Sequence, residues 1–304
     1  MLAPRLNSGL PRGSGACPMA GAQACWYKRG CRDFSTRPMP DSSLPQSPAV
    51  DGTDAAQRAE PGITLRPVNF AQPLQWLRLG WQDFRRAPGI GLFYGLCFMA
   101  MGWALLAMFE YSPAYVLALS GGFLLVGPFL CLGMYRVSQK LENGEKPTFL
   151  DSVLAWRART GQLGIFGVVL LVLEMLWARS TLVVFAVTFD GVPDFKGSLA
   201  ALASPENIVF TIVWFCLGLL FASLIYSISV VSMPMILHRR TDAITAGLTS
   251  MRLVLSQTAV MMWWAALIAG LVLLALLPWF AGLLVIGPVL GHASWHAYRA
   301  TVAE

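Results

Sequence analysis

Six apolar runs, each near or above the length that crosses a bilayer, narrow this chain more than anything else in it. They lie at roughly Ile90–Phe109, Tyr115–Tyr135, Leu163–Phe189, Ile208–Leu237, Ala259–Leu277 and Phe280–Tyr298. A transmembrane helix needs about 20 mostly apolar residues. Lipid cannot satisfy a broken backbone, so runs of this kind must be helical. Charged residues make up 12% of the chain, about half the share usual in soluble domains. That leaves too little polar surface to cover a water-soluble globule. The expected fold is an all-α integral membrane protein with six transmembrane helices.

Three amphipathic segments stand before the first, third and fifth runs. In Pro73–Pro88, the residues Leu74, Leu77, Trp81 and Phe84 share one helical face, and Arg78, Arg85 and Arg86 lie largely off it. The second opens on Thr148-x-x-Asp151, which has the form of a capping box. Phe149, Val153 and Trp156 share a face there, with Arg157 and Arg159 at its end. Asp242 can cap the third, in which Ile244, Leu248, Met251 and Leu255 recur at spacings of 4, 3 and 4. A basic amphipathic helix beside a span lies in the membrane interface. The plainer alternative for the first is an extension of its span packed on protein.

Basic residues fix the expected orientation. Thirteen Lys and Arg, from Arg66 to Arg299, fall on one side; Lys196 and the span-end Arg179 fall on the other. The positive-inside rule then places both termini and all three interfacial helices in the cytoplasm. The same rule accounts for the net charge of +6, so no nucleic-acid partner is expected.

The order of interfacial helix, span, span recurs at about 71–139, 147–240 and 241–300. It aligns Trp81, Trp156 and Met251 at entry, and Pro128, Pro234 and Pro288 at exit. Two-span units keep their orientation, so these would be parallel repeats about an axis along the membrane normal. The plainer reading is that any helical hairpin with a basic exit looks this way. The three prolines are candidate helix-kink positions, and packing alone can also explain them.

Residues 1–65 are rich in Pro, Gly, Ser and Arg and read as a disordered cytoplasmic tail; residues 66–304 form the membrane domain. No apolar core of a secretory signal precedes Gly62. The first 32 residues hold five Lys or Arg and no acid, a composition like that of a transit peptide. Met39 offers an alternative start. Cys17, Cys25 and Cys31 fall in this tail. Cys97, Cys131 and Cys216 sit in apolar runs, where a thiol acts as a small hydrophobe. Without C-x-x-C or zinc-ligand spacing, no disulfide, metal or cofactor is expected.

Four ionisable residues are candidates for function. Glu174 and Arg179 are the deepest in an apolar run, and groups at that depth face protein or water and often mark function. Helix gluing is the plainer role for Glu174. His292 and His296 stand four apart on one helical face, a spacing that can hold a metal. Interfacial hydrogen bonding, with Trp295 and Tyr298 as belt residues, is the plainer reading.

Several motifs carry a family resemblance. WLRLGWQDFRRAPGIGLFYG at 76–95, GGFLLVGPFL at 121–130, SVVSMP at 229–234 and GPVLGHASWHAYR at 287–299 together resemble bacterial integral membrane proteins known only as domain of unknown function 2189. The resemblance spans about Val68 to Ala300. It implies a multi-span protein of the bacterial cytoplasmic membrane with no assigned activity and no catalytic residues to carry over. Members are sometimes labelled as respiratory oxidase subunits. The three histidines of this chain are too few for a haem–copper core. No H-E-x-x-H, G-x-S-x-G or phosphate loop is present. The expected function is a non-enzymatic scaffold, assembly or envelope component, with the bilayer and other membrane proteins or further copies as partners. The alternative is a small-solute or ion transporter or channel with a site near Glu174.

Overall fold

Helices account for nearly all of what the computed structural model describes, which is residues 63–111, 116–188, 205 and 207–303. In chain order they are α1 (Gln72–Arg86), α2 (Pro88–Tyr111), α3 (Val116–Glu142), α4 (Phe149–Val153), α5 (Thr160–Thr188), α6 (Ile208–Ser229), α7 (Ser232–Arg239), α8 (Ala243–Ser256), α9 (Thr258–Leu276) and α10 (Leu283–Thr301). A 3-10 turn, Ala155–Arg159, joins α4 to α5. Residues 1–62 of the proposed tail at 1–65, with its three cysteines, the link at 112–115 and most of the loop after α5 lie outside the described residues, while Leu65 at the end of that tail pairs with Val302. The described residues fall within one unit, Glu60–Glu304.

Four stretches are long and apolar enough to cross a membrane: Pro88–Met108, Ala155–Thr188, Ile208–Arg239 and Thr258–Leu276. The remaining long helices, α3 and α10, turn polar toward their C-terminal ends, where α3 carries Arg136, Lys140 and Glu142 and α10 carries His292, His296 and Arg299.

The two expected caps form. Thr148 Oγ1 accepts from the Asp151 amide and the Asp151 carboxylate accepts from the Thr148 amide, a complete capping box. Asp242 accepts from the Thr245 amide at 2.8 Å. Elsewhere the backbone sets the breaks. Ala87 (φ −133°, ψ 57°) ends α1 and Gln257 (φ −131°, ψ 43°) ends α8, so both amphipathic helices meet the next long helix through one residue of nearly the same conformation. The run expected to be continuous over 208–237 is divided at Val230 and Val231. Pro234 then falls in the first turn of α7, where its missing N–H costs no helical bond. Pro128 and Pro288 sit inside unbroken helices. After α9 the chain turns through Trp279 and Phe280, both at positive φ, so α10 starts at Leu283 rather than at Phe280. The Trp103 indole donates to the Trp279 carbonyl at 2.9 Å across this turn.

Each amphipathic segment packs on the second long helix of a different hairpin. Helix α1 packs on α10, α4 with its 3-10 turn packs on α3, and α8 packs on α6 and α7. The α1–α10 contact is backbone to backbone: a Cβ at Gly80 would lie 2.6 Å from the Val289 carbonyl oxygen and 2.7 Å from the Ala293 nitrogen. Gly95 of α2 meets the Leu284 carbonyl of α10 equally closely. The chain ends join this assembly. The Arg66 amide donates to the Thr301 carbonyl at 2.8 Å, and the Ala303 amide to that of Thr64 at 2.9 Å.

The faces buried here are only partly those that apolar spacing selects. Helix α1 buries Pro73, Trp76, Gly80, Asp83 and Phe84, while Leu74 and Trp81 point outward. Helix α8 buries Ala243, Ala246, Thr249, Ser250, Leu253 and Val254, while Ile244, Leu248 and Leu255 point outward. Small and polar residues let backbones approach and bond, as packing between membrane helices favours. Large apolar residues need only avoid water, and lipid serves that as well as protein does.

Replacing Gly80 by Leu should force α1 off α10 and cost about 1–3 kcal/mol, the usual range for overpacking. Thermal unfolding in detergent should show a clearly lowered midpoint. Gly164→Ala, where nothing lies within 4 Å of the new Cβ, should not lower it and should raise it slightly, as an alanine inside a helix does.

Candidate functional site

The polar groups of the bundle gather at one end of it, where α1, α3, α7 and α10 meet. Asp83 enters from the small-residue face of α1. Its Oδ2 lies 2.8 Å from His296 Nε2 of α10. Ser138 Oγ of α3 lies 2.8 Å from His292 Nδ1, one turn earlier on α10. A carboxylate only accepts, so His296 Nε2–H donates to Asp83. Asp83, Ser138 and His292 are all buried. Burial pushes the Asp83 carboxyl up, but the bond from His296, the nearby Ser138 hydroxyl and the field of the two histidines outweigh it, leaving Asp83 below its ordinary range.

A second cluster ties α7 to the end of α10. His238 Nδ1 lies 2.9 Å from the Tyr298 hydroxyl. Arg239 Nε donates to the same hydroxyl at 3.1 Å. The Arg239 guanidinium also donates to the carbonyl of Ala303. Glu142 of α3 accepts from Trp295 Nε1 at 3.0 Å and from Arg299 Nε at 3.1 Å. Trp295 and Tyr298 are 0% and 1% exposed. They are core residues, not the interfacial belt expected of them, because their polar tips find partners inside the protein.

A third contact links α3 to α4 at the surface. Lys140 Nζ lies 2.7 Å from Asp151 Oδ2. The Lys140 bond, helped by the Thr148 cap, pulls the Asp151 carboxyl down to about 2.

The four ionisable candidates separate. His292 and His296 do share one face of α10, but each turns to its own partner, and among the described residues no three His, Cys, Asp or Glu side chains are grouped to hold a metal. Glu174 continues the stripe Leu163, Phe166, Leu170, Trp177 and Thr181, the packed side of α5. Arg179 is exposed on another side. Neither makes a hydrogen bond or ion pair with a described residue. Sequence reasoning missed Asp83, Ser138, Glu142 and His238. A signal for Asp83 was present: it lies seven residues from Trp76 and three from Gly80, on the small-residue face of α1.

Comparison with known proteins adds one positive finding. Residues 116–238 match the family model described as "Predicted integral membrane protein (DUF2189)". The matched segment runs from the start of α3 to His238 in α7, and so holds Ser138, Glu142, Glu174 and one of the four membrane-length stretches in full. The chain is a polytopic membrane protein. The family description names no activity. No curated protein matches the chain, and no solved structure does.

Asp83→Asn and His296→Gln should each lower the thermal midpoint, and the double change should cost less than the sum. The coupling expected in such a cycle is about 1–3 kcal/mol, the cost of leaving a buried partner unsatisfied. Because the folded-state value of Asp83 is depressed, its contribution is complete above the ordinary carboxylate pKa of 3.8 and is lost as pH falls through the lower folded value. In acid titrations of stability, Asp83→Asn should flatten that part of the curve.

Proposed function

We propose that this chain is a non-enzymatic scaffold or assembly component of the bacterial cytoplasmic membrane, with six spans and both termini in the cytoplasm. One observation carries the reading. The C-terminal parts of α3 and α10 meet α7 in a dry core, where Leu132, Met134, Met233, Ile236, Trp295 and Tyr298 are all under 2% exposed. This end of the bundle is a plug of apolar side chains knitted by buried hydrogen bonds. Such an arrangement suits a rigid platform. The orientation rests on basic residues: Arg136, Lys140, Arg157, Arg159, Arg239, Arg252 and Arg299 all belong to this end.

The reading of three parallel repeats gains support from the packing. The order of short amphipathic segment, long helix, long helix occurs three times. Each short segment packs on the second long helix of the preceding unit, with the first packing on the last. The buried positions of α1 and α8 also correspond at a constant offset of 170: Pro73 with Ala243, Trp76 with Ala246, Gly80 with Ser250, Asp83 with Leu253 and Phe84 with Val254. That is the register that aligns Trp81 with Met251.

A transporter is the second reading, and Glu174 is the observation that favours it. An acid on the packed side of α5, with Thr181 Oγ1 buried and unpartnered on the same side, is the kind of polar pair a translocation path uses.

Purified protein in proteoliposomes, tested with a panel of ions and small solutes, separates the two. The scaffold reading expects fluxes equal to those of protein-free vesicles. Saturable flux that Glu174→Gln abolishes, with the variant still folded, would establish the transporter.

A further inference from the structure

The outward faces of the three amphipathic segments repeat one composition. Helix α1 turns Leu74 and Trp81 outward, 54% and 44% exposed, with exposed Arg78 and Arg85 beside them. On α4 and its 3-10 turn the outward residues are Leu150, Val153 and Trp156. The Arg157 guanidinium lies 5.9 Å from the centre of the Trp156 ring. Helix α8 turns out Ile244, Leu248 and Leu255, with exposed Arg252 between them. Each segment runs into a membrane-length stretch almost without a break: one residue separates α1 from α2 and α8 from α9, and α5 follows Arg159 directly. The exposed apolar groups are therefore held within a turn or two of the hydrocarbon edge.

Some basic residues at this end of the bundle are paired with acids or carbonyls, and others, Arg66, Lys146 and Arg240 among them, are exposed without a carboxylate partner among the described residues. Arg86 lies 3.9 Å from Asp83, Lys140 is paired with Asp151, and Arg299 with Glu142. Arg239 is spent on Tyr298 and the C-terminal carbonyls. Arg78, Arg85, Arg157 and Arg252 have no carboxylate partner among the described residues. The acids are matched to other cations, and these four arginines stand unneutralised beside apolar groups that also need cover. A neutral lipid would satisfy the apolar groups alone. An anionic phospholipid satisfies both, since its acyl chains cover Leu and Trp while its phosphate takes two guanidinium N–H bonds.

We propose that the outward faces of α1, of α4 with its 3-10 turn, and of α8 form a headgroup-binding belt for anionic phospholipid on the cytoplasmic surface of the bundle. Arg78 and Arg85, Arg157, and Arg252 are its phosphate ligands. The proposal rests on the long helices lying in a bilayer and not on the scaffold reading. Solute flux would remove the scaffold and leave the belt standing.

The test uses the full chain in mild detergent, with dioleoylphosphatidylglycerol or dioleoylphosphatidylcholine added and the retained lipid counted by native mass spectrometry. Each basic residue near an anionic surface contributes on the order of a fivefold preference. Wild-type protein should therefore retain phosphatidylglycerol at least about tenfold better than phosphatidylcholine. The preference should shrink at about 0.5 M salt, where charges separated by solvent are screened. It should disappear in the Arg78→Gln, Arg85→Gln, Arg157→Gln, Arg252→Gln variant. Inorganic phosphate at millimolar concentration should not compete, because it brings no acyl chain. Equal retention of the two lipids, or a preference untouched by both salt and the variant, overturns the proposal. Should the variant fold poorly, the wild-type salt series still decides. A separate reading comes from vesicles of brominated phosphatidylcholine. Their quenching of tryptophan emission should fall in Trp81→Phe and in Trp156→Phe. No fall in either variant, or Trp81 shielded in a dimer, would show these faces covered by water or a second copy instead.

Discussion

Everything else in this bundle depends on how α1 lies against α10. The two segments stand at opposite ends of the described residues, and Gly80 lets their backbones touch at Val289 and Ala293. Without that contact Asp83 would not reach His296, and the Arg66–Thr301 backbone bond beside it would have no reason to form. The energetic logic is that of a lipid environment, in which apolar side chains gain little from burial in protein rather than in acyl chains. Close approach, dispersion contacts and buried hydrogen bonds must hold the helices together instead. The bundle uses all three at this seam.

The polar contacts are correspondingly concentrated where helices must be told apart. Asp83 binds His296 of α10, Glu142 binds two residues of α10, and Asp151 binds Lys140 of α3. The first two join segments far apart in sequence, and the third joins consecutive helices. A buried carboxylate bonded across helices specifies one arrangement, since sliding either helix by a turn would leave it unpaired. The dry core around Trp295 and Tyr298 supplies packing, and the carboxylates supply register.

Much of the fold was legible in the chain. The all-α class followed from run lengths. The Thr148–Asp151 box and the Asp242 cap followed from local hydrogen bonding, which depends on a few neighbouring residues and survives any tertiary context. What could not be read was which side of each amphipathic helix faces protein. Spacing marks Leu74 with Trp81, and Ile244 with Leu248, as one apolar face. In a soluble protein that face would be the core. Here lipid competes for it, and the inner face is the one carrying Gly80, Ser250 and Asp83. The division of the fourth apolar run before Pro234 was hidden for a similar reason: the run is apolar on both sides of the break. The His296–Asp83 bond spans 213 positions, and no local pattern reports a pairing of that range.

The measurement that bears most directly on this account is a cross-link between α1 and α10. With Cys97, Cys131, Cys216 and the N-terminal cysteines replaced, Asp83→Cys and His296→Cys together place two thiols at facing positions whose present side chains bond at 2.8 Å, within reach of a short bifunctional thiol reagent. Such a reagent in native membranes should join them within one chain, so that cleavage at the loop between α5 and α6 no longer separates the two fragments on a denaturing gel. Failure to cross-link while the protein remains folded, or a link formed only between two chains, would contradict a bundle that closes on itself through α1 and α10.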